Sequence, residues 1–260
     1  MKILNDKYYT KPDVAKFCIS KINLNKYDKI IEPSAGNGSF SKLIPNVDAY
    51  DLFPEDPSIK KQDFLKLKAP ICNNLLVIGN PPFGERNKLS KEFIKKSIEI
   101  GAETIAFILP DVFNKFVNQK IFSNDWKLVS KFKLDDNFLT ENGEYYVPTT
   151  FYVWTKGGSK INLREVKEEN SKDFSFLKKK DKNADFCFNG NNGKIKEPRD
   201  VKNYKAEHYI KSNIDKKTLI QRFKSMNLDF NSSVNGGISW VGKQEIIKAY
   251  NSFLKEKNNG

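Results

Sequence analysis

The apolar run Leu75-Leu76-Val77-Ile78 leads through Gly79 into Asn80-Pro81-Pro82-Phe83, and this junction limits what the surrounding chain can become. A short apolar run of this kind reads as a buried strand. Pro81 and Pro82 have no N–H for a ladder, so the strand must end and the loop beyond it is stiff. Asn80 is left at the strand's carboxyl end, where open α/β sheets bind ligands. Its side-chain carbonyl accepts hydrogen bonds, the Pro81 carbonyl is a second acceptor, and Phe83 is a flat apolar face. Two acceptors beside a stacking ring suit a planar heterocycle with an exocyclic amino group, such as adenine. Read alone, the same residues also describe an ordinary strand-terminating turn, because Asn-Pro and Pro-Pro are common turn dipeptides.

The residues upstream supply a matching half. Thr10 is a plausible N-cap for a helix in which Val14, Phe17, Cys18 and Ile22 recur at helical spacing, with Pro12 and Asp13 in its first turn. Lys29-Ile30-Ile31 reads as a strand that runs into Glu32-Pro33-Ser34-Ala35-Gly36-Asn37-Gly38, and Ser39–Leu43 reads as the start of a helix. A strand, a glycine loop and a helix form the first unit of a doubly wound nucleotide-binding sheet. Val47–Leu52 is the expected second strand. Its Asp51 lies 19 positions after Glu32, near the ~20-residue spacing of an acid that holds ribose hydroxyls. After a third strand, Asp63 is an acceptor for a cofactor amino group and Phe64 an apolar wall.

Further on, a helix with Leu89, Phe93, Ile94 and Ile98 on one face ends at Gly101, and Thr104–Leu109 is a continuous apolar strand. A helix is expected over 112–123, and strands over 128–134 and 149–154, the last two paired antiparallel at one edge. This alternation predicts a parallel α/β sheet. Gly157-Gly158-Ser159 reads as a hinge between a domain at 1–156 and a region at 157–260. Beyond it the segments are short, with a helix expected within 238–254. The net charge of +13 points to a polyanionic partner. From Lys156 onward Lys and Arg outnumber Asp and Glu by 23 to 13, so the C-terminal region is the electrostatic footprint. There Phe186-Cys187-Phe188, with Lys178, Lys179, Lys180 and Lys194 nearby, suits nucleic-acid contact. Three scattered cysteines and one histidine offer neither a disulfide framework nor zinc-site spacing, so no metal is expected. With no signal peptide and no apolar run of membrane length, a soluble intracellular protein is expected.

Glu32-Pro33-Ser34-Ala35-Gly36-Asn37-Gly38-Ser39-Phe40, followed about fifty residues later by Asn80-Pro81-Pro82-Phe83, resembles the S-adenosylmethionine-dependent amino-methyltransferases, above all the adenine-N6 DNA methyltransferases. Tyr8-Tyr9-Thr10-Lys11-Pro12 resembles that family's first cofactor segment, and Val147–Trp154 the late strand of its small phage and bacterial members. The resemblance covers about residues 5–156. It implies a Rossmann-like seven-stranded methyltransferase sheet with a small basic C-terminal extension, S-adenosylmethionine as cofactor and nucleic acid as substrate. Tyr9 and Thr10 would border the cofactor's methionine end. Glu32, Ser34, Gly36 and Gly38 would cradle it, with Asp51 on the ribose and Asp63 and Phe64 on the adenine ring. Asn80, also beside the cofactor, and Pro81 would hold the target amino group. Phe83 would stack on the flipped base, flanked by Pro82 and Gly84. Many DNA enzymes of the family carry Tyr or Trp where Phe83 stands, and Phe occurs in enzymes acting on RNA. RNA adenine, an amino group of cytosine or guanine, a glutamine or small-molecule substrate, and an inactive nucleic-acid-binding subunit remain alternatives. A partner subunit or a homodimer is compatible with the reduced recognition region.

Overall fold

The central strands of the first unit bury both faces, and this sets the layers around them. In this computed structural model residues 8–258 are described, except 71, 136, 137, 141, 142, 203, 229 and 231–239. The chain divides into two units, Met1–Glu165 and Val166–Gly260.

The first unit opens with helix α1 (Pro12–Ser20), then strands β1 (Lys29–Glu32), β2 (Val47–Asp51), β3 (Lys60–Lys61) and β4 (Leu75–Gly79). Helix α2 (Lys88–Glu99), strand β5 (Ala102–Pro110), the short helix α3 (Phe116–Gln119) and strand β6 (Trp126–Leu134) follow. A small hairpin, β7 (Phe138–Thr140) and β8 (Gly143–Tyr145), precedes β9 (Thr149–Lys156). The sheet runs β3-β2-β1-β4-β5-β9-β6. β1 to β5 are parallel, while β9 is antiparallel to both β5 and β6. This is the Rossmann-like seven-stranded α/β order that the sequence implied. The chain winds outward from β1 to β3, then returns to place β4 on the other side of β1. The switch point therefore lies between the carboxyl ends of β1 and β4, where such sheets leave a crevice.

Side chains alternate between two cores. Ile31, Val77, Ile105, Phe107 and Tyr152 face one side with Phe64, Phe93 and Phe113; Ile30, Leu76, Ile78, Ala106 and Phe151 face the other with Ala15, Cys18, Phe40 and Phe83. All five residues of β4 are buried, as expected of a central parallel strand.

Three local expectations are corrected. The N-cap of α1 is Lys11, not Thr10, and Pro12 takes the first helical position. Thr10 is buried, and its carbonyl accepts from the Ser39 hydroxyl at 2.7 Å. The helix expected from Ser39 is one 3-10 turn, Ser41–Leu43. Pro45 follows Ile44, and a residue before proline is pushed out of the helical region; Ile44 has φ −109° and ψ 114°. The helix expected over 112–123 is a 3-10 turn at Asp111–Asn114 and the short α3, separated by extended Lys115. Asn118 Nδ2 and Gln119 Nε2 donate to the Val112 and Phe113 carbonyls at 2.7 and 2.9 Å. These side chains take acceptors that a continuous helix would give to backbone N–H groups.

The first unit continues past Gly157. Leu163 N donates to the Leu128 carbonyl at 2.7 Å, and the Arg164 guanidinium donates to the Gln119, Phe122 and Ser123 carbonyls.

The second unit has more regular structure than its sequence pattern suggested. Strands β10 (Phe174–Phe176), β11 (Phe186–Asn189), β12 (Ile195–Lys196) and β13 (Glu207–Ser212) form an antiparallel sheet ordered β10-β13-β11-β12. Helices α4 (Lys216–Ser225) and α5 (Lys243–Asn258) pack on it. The helix expected within 238–254 is α5; residues 238 and 239 lie outside the described set. Phe223 is ringed by Phe174, Phe186, Phe188 and Tyr250 at centroid distances of 5.1–5.6 Å. Phe186 and Phe188 are therefore core side chains and not a nucleic-acid surface, since alternate residues of β11 point at the helices.

Candidate active site at the switch point

A cleft of about 370 Å³ opens where β1 and β4 end. That volume is within the range of small-molecule sites. Its lining joins segments that are distant in sequence: Tyr8-Tyr9-Thr10, Glu32 to Asn37, Asp51 to Phe53, Gln62 to Leu65 and Asn80 to Phe83. Of the expected cofactor residues, Tyr9, Thr10, Glu32, Ser34, Gly36, Asp51, Asp63, Phe64 and Asn80 line it, as do Pro81, Pro82 and Phe83. Gly38 and Gly84 lie outside the lining. Gly38 closes the loop instead, its N–H donating to the Ala35 carbonyl at 2.7 Å.

The glycine loop is held from three sides. Asp51 Oδ2 accepts from Gly36 N, and Oδ1 from Phe53 N, both at 2.8 Å. The expected ribose acid thus also ties β2 to the loop, with lone pairs remaining on each oxygen. Ser34 Oγ donates to the Asn80 carbonyl at 3.1 Å, joining the ends of β1 and β4. The Tyr9 ring lies over the loop; a Cβ on Gly36, at φ +54°, would stand 3.4 Å from it. The Tyr9 hydroxyl donates to Glu55. Asp63 Oδ1 accepts from Leu65 N at 3.0 Å and caps the 3-10 turn that carries Phe64, which stacks on Phe93.

Two buried polar atoms at the cleft lack a hydrogen-bond partner among the described residues: Glu32 Oε2 and Asn80 Oδ1. Glu32 is 2% exposed. Burial pushes its carboxyl up to about 8, while Ser41 and the Phe40 backbone pull it down and the charge of Asp51 adds to the rise. Asn80 Nδ2 donates to the Tyr8 carbonyl at 3.0 Å, which fixes the amide with Oδ1 as its remaining acceptor.

Tyr8 is a residue that sequence reasoning missed. Its ring stacks on Phe83 at 5.8 Å and 20°, and meets Phe138 and Tyr145 at 6.0 and 5.7 Å. Phe53 and Leu52, also missed, are 54% and 53% exposed at the cleft. Exposed apolar residues directly after Asp51 were the available signal for the latter pair.

The expected nucleic-acid lysines gather within the second unit. Lys178, Lys179, Lys180 and Lys194 are exposed in the turns around β11. Lys179 Nζ donates to the Lys205 carbonyl at 2.9 Å, and β12 begins after Lys194 opposite Phe188. The strand register thus brings Lys179 and Lys194 to the sheet end where β13 starts. Trp240 is at that end too, 41% exposed, its ring 5.4 Å from that of His208. Among the described residues no group of His, Cys, Asp or Glu side chains could hold a metal ion, and no helix is long and apolar enough to cross a membrane.

No family model and no curated protein matches the chain. Solved structures do. A Pyrococcus horikoshii protein assigned as an RNA methyltransferase aligns at 16% identity over 60% of this chain and 90% of its own, with a TM-score of 0.46. A modification subunit assigned to a type I restriction enzyme from Vibrio vulnificus aligns at 14% identity over 60% of this chain and 46% of its own, with a TM-score of 0.42. A protein from Listeria monocytogenes assigned as a class I S-adenosylmethionine-dependent methyltransferase aligns at 16% over 60% and 62%, with a TM-score of 0.41. Likeness at this distance carries no residue roles.

Proposed function

We propose that this chain transfers a methyl group from S-adenosylmethionine to the N6 amino group of adenine in DNA, with the target base turned out of the duplex. The observation that carries the reading is Asn80. Its amide is oriented by the Tyr8 carbonyl, and Oδ1, at the carboxyl end of β4, is a buried acceptor without a partner among the described residues. An unpaired buried acceptor costs free energy, and an amino hydrogen from a bound base satisfies it.

The cleft's chemistry fits the cofactor. Glu32 Oε2, buried and unpaired among the described residues, suits an ammonium group, and Asp51 at the end of β2 suits a diol. Asp63 and Phe64 suit an amino-bearing ring. When bound, S-adenosylmethionine supplies a methyl group on a positively charged sulfur that departs as a neutral thioether. The adenine N6 lone pair is delocalised into the ring, so the amino group is a poor nucleophile. Asn80 Oδ1 and the Pro81 carbonyl accept its two hydrogens and favour a tetrahedral nitrogen with the lone pair free. The lone pair would then be free to take up the methyl group, and the surplus proton would leave to water. Alignment of this kind is worth ~7–11 kcal/mol. Turning the base out of the stack costs a few kcal/mol, offset by stacking at ~1–3 kcal/mol per base. The exposed lysines of the second unit would hold phosphates.

The test uses S-adenosylmethionine labelled on its methyl group with duplex DNA, single-stranded DNA and RNA, each digested to nucleosides. Label on N6 of deoxyadenosine is the expected result. Label on RNA adenosine keeps the chemistry and moves the polymer. Asn80→Ala should lower transfer on the order of a hundredfold or more, with cofactor affinity retained. A fully active Asn80→Ala enzyme would sink the assignment.

A further inference from the structure

Phe83 is the ring on which a flipped base would stack, yet it is only 7% exposed. The Tyr8 ring covers one face at 5.8 Å and 20°, and the Phe138 ring meets it edge-on at 6.1 Å and 82°. A base cannot gain that stacking area while both neighbours stay where they are. Beside this covered platform, Asn80 Oδ1 is an acceptor with no partner among the described residues. The hydrogen-bonding half of the site offers a buried acceptor, while its stacking half is already filled by a flat aromatic ring.

We propose that Tyr8 is a place-holder for the target base: its ring occupies the stacking position on Phe83 and yields it when a nucleobase enters. The inference rests on the methyltransferase reading above and adds a role for the Tyr8 side chain, where that reading uses only the Tyr8 carbonyl. The backbone of Tyr8 and its ring have separable tasks. The carbonyl accepts from Asn80 Nδ2 at 3.0 Å and orients the acceptor. Tyr9 N and O pair with Leu139 at 2.8 and 3.0 Å, and Lys11 Nζ lies 3.1 Å from Glu144 Oε1, so the segment that follows Tyr8 is fastened to the β7–β8 hairpin. Rotation about the side-chain bonds moves the ring without disturbing the carbonyl. Tyr8 is itself only partly buried, and its neighbour Tyr145 is 54% exposed. When the ring leaves, the core side chains that it covers, Phe83 and Phe138, are met by the incoming base instead. Filling the platform keeps an apolar face out of water between turnovers and makes each base compete with an internal ring before it can be methylated.

The experiment compares steady-state kinetics of the wild type, Tyr8→Ala and Tyr8→Phe on unmethylated plasmid DNA, with cofactor affinity measured in parallel. With the competing ring removed, Tyr8→Ala should lower KM for DNA about two- to tenfold, the equivalent of one aromatic pair. Tyr8→Phe, which keeps the ring, should not show this fall in KM, and cofactor affinity should be unchanged in Tyr8→Ala. A raised KM or a collapsed kcat in Tyr8→Ala would show that the ring supports the base and would overturn the place-holder role; unchanged kinetics would overturn it too. A second measurement does not depend on the Ala variant folding. In Tyr8→Trp with S-adenosylhomocysteine, adding the plasmid should shift emission to the red relative to wild type, and no shift overturns the proposal. Wild-type transfer with unmoved variants refutes Tyr8 alone. No wild-type transfer to any nucleic acid refutes the methyltransferase reading, and this inference falls with it.

Discussion

Glu32 carries a titration that separates its own behaviour from that of the rest of the chain. Burial holds its carboxyl at about 8 in the fold, against an ordinary value of 4.5. Between those values the folded protein keeps the proton and the unfolded chain releases it. Glu32 therefore lowers stability progressively as pH rises from about 4.5 to about 8, with no further change above. His208 works the other way. Burial depresses it below its ordinary 6.5, so stability falls as pH drops through the range where the unfolded chain takes up that proton. The difference between wild type and Glu32→Gln isolates the carboxyl: urea midpoints should converge near pH 5 and separate by pH 8, with the Gln variant the more stable. Parallel midpoints at all pH values would refute the burial argument. A cationic group bound to Glu32 favours the ionised form, so cofactor affinity should tighten as pH rises toward 8 in the wild type and stay level in the variant. At this scale the sequence revealed what spacing and chemistry determine. Asn80, Asp51 and the glycine loop were readable because each sits at the end of a readable strand. Tyr8 was read only as part of a segment, because its partners Phe83, Phe138 and Tyr145 are brought to it by the fold. The raised carboxyl of Glu32 was likewise invisible, since burial is a property of the assembled sheet.

Elements around the site are set by a few backbone positions, and Gly84 is the most demanding of them. It has φ +65°, and a Cβ there would stand 2.8 Å from Leu89 Cγ, a side chain that lines the cleft at the start of α2. Gly101, which ends α2, has φ +86° but nothing within 4 Å of the same atom. Gly101→Ala should cost about 1 kcal/mol from backbone conformation alone. Gly84→Ala should cost ~2–4 kcal/mol, because the displaced Leu89 adds a packing penalty of typically 1–3 kcal/mol. Denaturant midpoints of the two variants measure the contrast directly, and equal losses would show that Leu89 yields freely. The elements themselves were largely legible: β4 and β5 are runs whose hydrophobicity alone marks them, and β1, β2 and β9 stand out by shorter apolar stretches beside the glycine loop, Asp51 and Pro148. Misreadings fell where tertiary contacts or a following proline overrode periodicity, at Ile44-Pro45 and at Asn118 and Gln119. Apolar spacing over 112–123 fits a helix; it does not register that two amide side chains would claim the carbonyls.

For the molecule as a whole, the second unit is where the sequence was least transparent. Its core draws Phe174, Phe186, Phe188, Ile210, Phe223 and Tyr250 from strands of two to six residues and two helices. Runs that short do not stand out from turns rich in Asn, Gly and Lys, so no single window marked the strands, and only α5 was readable from its periodicity. The charge was legible, because net charge needs no fold to be counted. The fold adds position: Lys179 and Lys194 share a sheet end with exposed Trp240, while Phe186 and Phe188, the aromatics first read as contacts, are interior. Under the proposed function, this arrangement would separate two contributions to nucleic-acid binding. Each lysine that neutralises a phosphate releases counterions and contributes about 0.9 to the slope of log K against log salt on duplex DNA. A stacked aromatic contributes affinity with little salt dependence. Replacing Lys178, Lys179 and Lys194 together by Ala should weaken plasmid binding most at low salt and flatten the slope by up to about 0.9 per lysine that meets a phosphate. Trp240→Ala should weaken binding at all salt concentrations and leave the slope as in the wild type. A binding titration at several salt concentrations reads both quantities at once. If the triple variant keeps the wild-type slope, the polyanion is held by other lysines, and the charge of the second unit has to be reassigned to them one sheet edge or helix face at a time.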